Sequence, residues 1–384
     1  MGAVGFLAIT VAMTGCTAAD VGEETGDAES NPGSSEAVDS TSEALLSSTV
    51  SATWWEDSVI EGSPVHRQGT NTLDQLLIHA SGGPGRWHRN SSGAWAFEPI
   101  TGAPAGVTAR AIAGTYSGGG GFMDVFIVGS DNKIWWTFKD TGNPSAAWGA
   151  WGLVSTITTP QGATQSATVG SGTTIAVTNR GEGVMDVFWV TASNTIAHLA
   201  IANWFTPQSL LAGASSRPWF QSANGGQLKE VRAVSWDANR TDVFAMSGSQ
   251  IQHSWLSNGS WGTQASPNRE VITSAFTTTA TQWSGPLTLA VSSPRAGQID
   301  LIATAQERNA VPSQIKTGTT TYNGSWTKQN GWVNWNVLST SPSSALFPAR
   351  FFGATHFNDN GIGKVNLIGG GGANLDLFDG YVVD

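Results

Sequence analysis

Five times along this chain an aspartate opens a short run of β-branched and aromatic residues. The copies are Leu73-Asp74-Gln75-Leu76-Leu77-Ile78, Met123-Asp124-Val125-Phe126-Ile127-Val128, Met185-Asp186-Val187-Phe188-Trp189-Val190, Thr241-Asp242-Val243-Phe244-Ala245-Met246 and Ile299-Asp300-Leu301-Ile302. A sixth, Val365-Asn366-Leu367-Ile368, has Asn at the anchor. Downstream of four copies comes an apolar-x-His/Trp element: Trp87-His88, Ile134-Trp135-Trp136, Ile196-Ala197-His198 and Ile251-Gln252-His253. A later tryptophan follows in most units, at Trp95, Trp148 with Trp151, Trp204, Trp261, and Trp332 with Trp335. The anchors are 50, 62, 56, 58 and 66 residues apart, which leaves room for four short strands and three turns in each interval. A unit of that size cannot bury its apolar face alone and must stack on its neighbours. Four-stranded units repeated around an axis make a β-propeller, with four to eight blades the usual range.

The two ends of the chain favour six blades. The last unit stops at Gly380-Tyr381-Val382-Val383-Asp384, about three strands in, while an orphan segment, Ala52-Thr53-Trp54-Trp55-Glu56-Asp57, precedes the first unit and looks like the missing fourth strand. An N-terminal strand that completes the last blade would close the ring without an open edge, and open edges invite aggregation. The expected fold is therefore all-β: a β-propeller of six blades of four antiparallel strands. A seventh is the alternative if the long Asp300–Asn366 interval hides one. Composition agrees: 47 glycines serve many tight turns, and charged residues make up 12% of the chain where about 25% is ordinary.

The first fifty residues read differently. Residues 1–16 run MGAVGFLAITVAMTGC, an apolar stretch ending in small residues and Cys16, the only cysteine. This resembles a lipoprotein signal peptide, with Met13-Thr14-Gly15-Cys16 as the lipobox and Cys16 as the lipidated residue, although no Lys or Arg precedes it. Residues 17–50 are acidic, with no aromatic side chain, and read as a disordered linker between a lipid anchor and the propeller domain at 51–384. The chain is expected to be exported and held to the cell envelope, at the outer membrane, or else secreted. Membrane contact would run through the lipid anchor only. Eight carboxylates and no Lys or Arg lie in residues 1–50, so the rest holds 20 acidic against 18 basic residues. So neutral a domain has no basic field for nucleic acid.

At the stretch Asp124 to Trp136, and its copies, the sequence resembles the PLL-like propeller lectins and, more distantly, the tectonin-type and fungal fucose-binding propellers. The resemblance covers 51–384, with longer and less regular repeats than PLL-like lectins have. It implies a non-enzymatic, lectin-like module whose partner is a glycan or cell-surface polysaccharide. His356-Phe357-Asn358-Asp359-Asn360-Gly361 also looks somewhat like an FG-GAP-type loop. That family's loop holds calcium, but one carboxylate is too few for that ion.

The residues themselves suggest where a sugar would bind. An indole face stacks on the C–H face of a pyranose. Trp87, Trp135, Trp136 and Trp255 are the candidate stacking residues, and His88, His198 and His253 the candidate polar partners. The same histidines also read as groups packed between blades. The repeated aspartates are expected to accept bonds from turn amides. No catalytic residue, metal site or cofactor is assigned. The sialidase Asp-box, a Gly-x-Ser-x-Gly elbow, a His-Glu-x-x-His pair and a phosphate-binding loop are all absent. Two other readings are a propeller scaffold for protein–protein interaction and a glycoside hydrolase, which would need a central acidic pocket.

Overall fold

A computed structural model describes residues 8–10, 50–55, 59–66, 72–89, 94–117, 121–143, 145–154, 156–158, 164–166, 168–181, 184–202, 215–217, 228–247, 250–261, 268–272, 281–293, 296–309, 315–327, 331–341, 350–359, 362–371 and 376–383. Its regular structure is all strand. Two strands come first, β1 (Ala8–Thr10) and β2 (Val50–Trp55). Blade 1 follows as β3 (Val59–His66), β4 (Leu73–His79), β5 (Pro84–Arg89) and β6 (Trp95–Pro99). Blade 2 is β7 (Ala109–Ser117), β8 (Phe122–Gly129), β9 (Ile134–Asp140) and β10 (Gly152–Val154). A small hairpin, β11 (Thr156–Thr158) and β12 (Thr164–Ser166), precedes blade 3. That blade is β13 (Ile175–Asn179), β14 (Val184–Val190), β15 (Ile196–Ala202) and β16 (Ser215–Arg217). Blade 4 is β17 (Leu228–Asp237), β18 (Arg240–Ser247), β19 (Gln250–Ser257) and β20 (Arg269–Val271). Blade 5 is β21 (Thr281–Ser292), β22 (Gln298–Asn309), β23 (Ile315–Thr327) and β24 (Gly331–Ser341). The chain ends in β25 (Arg350–Asp359), β26 (Ile362–Gly371) and β27 (Asp376–Val383).

Blades 1 to 5 are four-stranded antiparallel sheets in simple sequence order, and the last sheet has the order β1-β2-β27-β26-β25. The first strand of each sheet touches the first strand of the next: β3, β7, β13, β17, β21 and β25, with β25 back against β3. These six strands line the axis of a closed ring. The expected latch is present. β2 pairs with β27 from Val50↔Val382 to Trp55↔Leu377, so the N-terminal strand completes the C-terminal sheet. β1 lies outside it, with Ile9 opposite Ala52.

The aspartate anchors all fall on the second strand of their blades, where the runs they open are buried. Leu76, Phe126, Phe188, Phe244 and Ile302, each two residues past its anchor, are at most 1% exposed. Faces of neighbouring blades supply the core between them. One cluster joins Phe126 and Trp136 of blade 2 to Met185, Val187 and Trp189 of blade 3, and another joins Phe244 and Ile251 of blade 4 to Leu289 and Leu301 of blade 5. Apolar burial of this kind, at about 25 cal/mol per Å², is the main term holding blade to blade.

Near the axis the inner strands crowd. On each, the residue opposite anchor-plus-two is Ser63, Ala113, Ala176, Arg232, Ala290 or Gly353. Five of the six are small, and the sixth position sends one long side chain into the space they leave. Arg232 Nε donates to the Leu289 carbonyl (2.9 Å), its Nη2 pairs with Glu230, and the same nitrogen lies 3.9 Å from Glu61 of blade 1, half a ring away. A cavity of about 70 Å³ is left among all six inner strands. A Cβ on Gly353 would lie 2.5 Å from Pro64 Cδ, so that position takes glycine for want of space.

Candidate functional site

The second-strand aspartates do not serve turn amides, as the sequence suggested. They accept from side chains. In an antiparallel sheet, residues directly opposite or diagonal on one face lie within side-chain reach. Asp74 sits opposite His88, and Nδ1 of His88 is 2.9 Å from its carboxylate. In blades 2, 3 and 4 the partner lies on the diagonal. Trp136 Nε1 donates to Asp124 (2.9 Å), His198 Nε2 pairs with Asp186 (2.7 Å), and His253 Nε2 with Asp242 (2.8 Å). An arginine joins three of these pairs. Arg86 reaches Asp74 from the third strand, while Arg180 and Arg240 reach Asp186 and Asp242 from the hairpin between the first and second strands. Burial alone would raise these carboxyl pKa values; the histidine bonds and the guanidinium groups outweigh it and hold Asp74, Asp186 and Asp242 below the ordinary value. Asp124 has only the Ser117 hydroxyl (2.6 Å) and the Trp136 indole, and burial pushes it up to about 6.

The histidines also form the joints between blades. His198 stacks on Phe188 (4.7 Å between centroids, 9° between planes), and Trp261 of blade 4 meets both rings edge-on at 5.3 and 5.8 Å. One blade further on, His253 stacks on Phe244 (4.5 Å, 5°), and Trp332 of blade 5 meets both edge-on at 5.8 and 5.9 Å. The third-strand histidine of one blade and the later tryptophan of the next thus make one T-shaped cluster, an arrangement that aromatic quadrupoles favour.

Among the described residues, the groove between blades 4 and 5 carries the richest set of polar and aromatic groups. Arg240 is bonded through Nε and Nη2 to Asp242 (2.8 and 2.6 Å), and no described residue accepts from its Nη1. Its guanidinium lies against three indoles, Trp255 (5.0 Å), Trp326 of blade 5 (5.3 Å) and Trp236 (5.8 Å). Glu270, on the outermost strand β20, closes the other side. Its Oε1 accepts from His253 Nδ1 (2.8 Å) and from Trp332 Nε1 across the groove (2.7 Å). With a carboxylate near each nitrogen, His253 is held toward its protonated form; burial alone would lower its pKa, but Asp242 and Glu270 raise it. Arg240 and the His253 ring face Asp242 and Glu270, cationic groups set against anionic ones. The groove is thus electrically balanced. It offers a guanidinium donor, a carboxylate acceptor 38% exposed, and half-buried indole faces.

The candidates from sequence fall into two sets. Trp136, His198 and His253 are buried, at 9, 5 and 1% exposed, with ring nitrogens committed to the anchor aspartates. Trp87, His88, Trp135 and Trp255 are half-buried. Trp135 and Trp136 point to opposite faces of blade 2, as neighbours on a strand must. Trp136 packs with blade 3, and Trp135 with the blade 1 cluster. Trp255 alone of the four tryptophans lies in the Arg240 groove. Arg240, Glu270, Trp326 and Trp332 complete that groove and were not singled out. The signal for Arg240 was its place two residues before an anchor, and the signal for Trp332 was its membership of the later-tryptophan series. Among the described residues no three His, Cys, Asp or Glu side chains gather as metal ligands.

No family model matches the chain, and no curated protein matches it significantly. Solved structures do resemble it. AofleA from Arthrobotrys oligospora superposes with a TM-score of 0.54, and a triple arginine-to-alanine variant of AofleA with 0.55. Each is 12% identical over 87% of this chain and 88% of the other. The SapL1 lectin, solved in complex with alpha methyl fucoside, gives 0.48 at 15% identity over 85% of this chain and 96% of its own. At such identities the likeness is one of fold.

Proposed function

We propose that this protein is a lectin-like propeller that binds carbohydrate without chemically changing it, and that the groove between blades 4 and 5 is its best-formed site. The observation that carries the reading is the placing of Arg240 and Glu270 beside the indoles of Trp255 and Trp326. Pyranose recognition needs an aromatic face for the C–H side of the ring and charged hydrogen-bonding groups for the hydroxyls. Balanced charge in the groove suits a neutral sugar. Sugar binding by this chain is read from its own groove.

Binding fits the carboxylates better than hydrolysis does. A glycosidase needs two of them facing one substrate, one with a raised pKa. Here Asp74, Asp186 and Asp242 are held ionised, and the raised one, Asp124, is 2% exposed and capped by Trp136 and Ser117. On the axis, Glu61 and Glu230 flank Arg232, which fills the space an acidic pocket would need.

The test is a titration of indole fluorescence with methyl glycosides of fucose, galactose, mannose and N-acetylglucosamine, backed by a wide glycan array. Saturable binding that weakens about tenfold or more in Trp255→Ala and in Glu270→Gln is expected. Silence across the array, or binding indifferent to both substitutions, would refute the assignment.

We further propose that the chain is exported and lipidated at Cys16. This rests on the apolar run before Cys16 and the acidic stretch behind it. Cleavage ahead of Cys16 would take β1 away and leave the last sheet with four strands, β2-β27-β26-β25, as in every other blade. Mass spectrometry of the cell-derived protein should find an acylated N-terminal Cys16; an intact Met1 would contradict the proposal.

A further inference from the structure

We infer that His253 is a positioning residue of the blade 4/5 groove: its protonated ring, bonded to a carboxylate at each nitrogen, holds Glu270 with one oxygen turned to the ligand, and loss of that proton releases the carboxylate and, with it, the sugar. This rests on the reading of the groove as a carbohydrate site.

A chain of groups runs here from the core to the rim. Its fixed end is Asp242, fully buried on β18. Oδ2 accepts from Arg240 Nε (2.8 Å) and Trp236 Nε1 (3.0 Å), and Oδ1 from Arg240 Nη2 (2.6 Å) and His253 Nε2 (2.8 Å). With four donors on two oxygens, this carboxylate is locked in place. His253 is locked too. Its ring is buried, lies flat on Phe244 with 5° between the planes, and has Trp332 edge-on at 5.8 Å. The movable end is Glu270. It lies on β20, which pairs with β19 only over Arg269–Val271, and its side chain is 38% exposed. His253 Nδ1 (2.8 Å) and Trp332 Nε1 (2.7 Å) both donate to Oε1. Among the described residues nothing donates to Oε2, which leaves that oxygen for a sugar hydroxyl. The His253 ring thus couples a rigid buried carboxylate to the exposed one that meets the ligand. Blade 3 differs: opposite His198, β16 has Ser215 where β20 has Glu270 opposite His253.

Holding both carboxylates takes both ring protons. A neutral imidazole has one N–H and one lone pair, so one nitrogen would face a carboxylate oxygen with no hydrogen between them. Glu270 is the group that would then move, because Asp242 keeps three further bonds. Burial alone favours the neutral ring; Asp242 and Glu270 outweigh it and hold His253 above its ordinary 6.5. Burial also acts to raise Glu270, but His253, the Trp332 indole and the charge of Arg240 hold it below its ordinary 4.5. Asp242, Arg240 and Glu270 are the charged groups that face the ring. The blade 5 strands packed against it, β21 and β24, carry no charged residue. Between the two folded pKa values the ring is charged and the carboxylate ionised, and the groove is set for binding. Affinity falls as pH rises through the pKa of His253, and falls again as pH drops through that of Glu270.

The test is isothermal titration calorimetry of the whole chain with the methyl glycosides of fucose, galactose, mannose and N-acetylglucosamine. It runs from about pH 5 to about pH 9.5, short of the range in which Tyr and Lys titrate. Kd should be flat near neutrality, then rise by up to about tenfold per pH unit above the midpoint at which NMR of isotope-labelled histidine shows the His253 ring losing its proton. His253→Gln has no titrating ring. It should bind about tenfold more weakly at neutral pH and show no alkaline limb, whereas damage to the fold alone would lower affinity and leave the limb in place. A parent profile flat to the end of the range would overturn the inference. So would His253→Gln binding as tightly as the parent or keeping its alkaline limb. Should His253→Gln lose the parent's circular dichroism spectrum, the parent decides alone: a binding midpoint apart from the ring's midpoint overturns the inference, and coincidence supports it. Any of these failures leaves sugar binding standing, whereas no binding at any pH would remove the carbohydrate reading and this inference together.

Discussion

At the scale of the residue, the anchor aspartate sets how each blade responds to pH. Asp74, Asp186 and Asp242 have folded pKa values below the ordinary 3.8, so each contributes stability that is present above that value. The contribution is lost as pH falls through the folded pKa. Asp124 has the opposite sign. Its folded pKa is about 6, so between 3.8 and 6 the folded chain keeps a proton that the unfolded chain has shed. Its contribution therefore declines as pH rises through that window and stays low above it. Asp124→Asn should accordingly be neutral near pH 4 and stabilise by up to about 3 kcal/mol at pH 7 to 8, read by urea unfolding at each pH. Asp242→Asn should destabilise by about 3 to 5 kcal/mol at pH 7, because it strands Arg240 and His253. A parallel response of the two variants would refute the assigned environments. Anchor positions were plain in the sequence as a repeat. Their partners were not, because Arg86 comes from the third strand and Arg180 and Arg240 from a hairpin, so no single spacing marks them.

At the scale of the element, each inner strand is shaped by what the axis allows. Strands β3, β7, β17 and β21 skip one residue at the same level of the ladder, at Ile60, Arg110, Lys229 and Leu287. A bulge of this kind bends a strand and increases its local twist. Arg110, displaced by its bulge, reaches blade 3 and donates to the Thr173 and Gly170 carbonyls (3.0 and 2.8 Å). The hairpin tips use another device. Asn132, Asn194 and Asn258 sit at φ of 59°, 62° and 49°, where asparagine is tolerated better than most residues. Two of these tips also bind the following blade, through the Asn132 carbonyl to Val169 N (2.9 Å) and Asn194 Oδ1 to Leu228 N (2.6 Å). Their role as hooks between blades depends on the ring.

At the scale of the whole molecule, closure is the central event, and β2 is the strand that makes it. Every other blade is one continuous stretch of chain, whereas the last sheet joins Val50–Trp55 to Asp376–Val383. Deleting residues 50–55 should open the edge of β27. The expected result is a marked loss of thermal stability together with concentration-dependent association, read by differential scanning calorimetry and by light scattering. A deletion variant that stays monomeric and melts with the parent would show that the ring does not depend on this latch. Arg232 contributes at the same scale, since it lies near Glu61 from half a ring away and bonds the blade 5 backbone.

By itself the sequence determined the repeat, the strand content, the anchor-led strand of each blade, with aspartate in five and Asn366 in the last, and the strand that shuts the ring. These are set locally, by the two-residue alternation of side chains and by turn chemistry, which a linear reading can follow. It also showed most of the aromatic residues that matter. Tertiary structure decided which of them meet. His253 is built by blade 4 and Trp332 by blade 5, and only stacking of the blades brings them together with Glu270. Which indoles stay at the groove and which are packed away depends on contacts between residues about fifty to sixty positions apart. Those contacts form when a sheet finds its neighbour, and no local pattern encodes them.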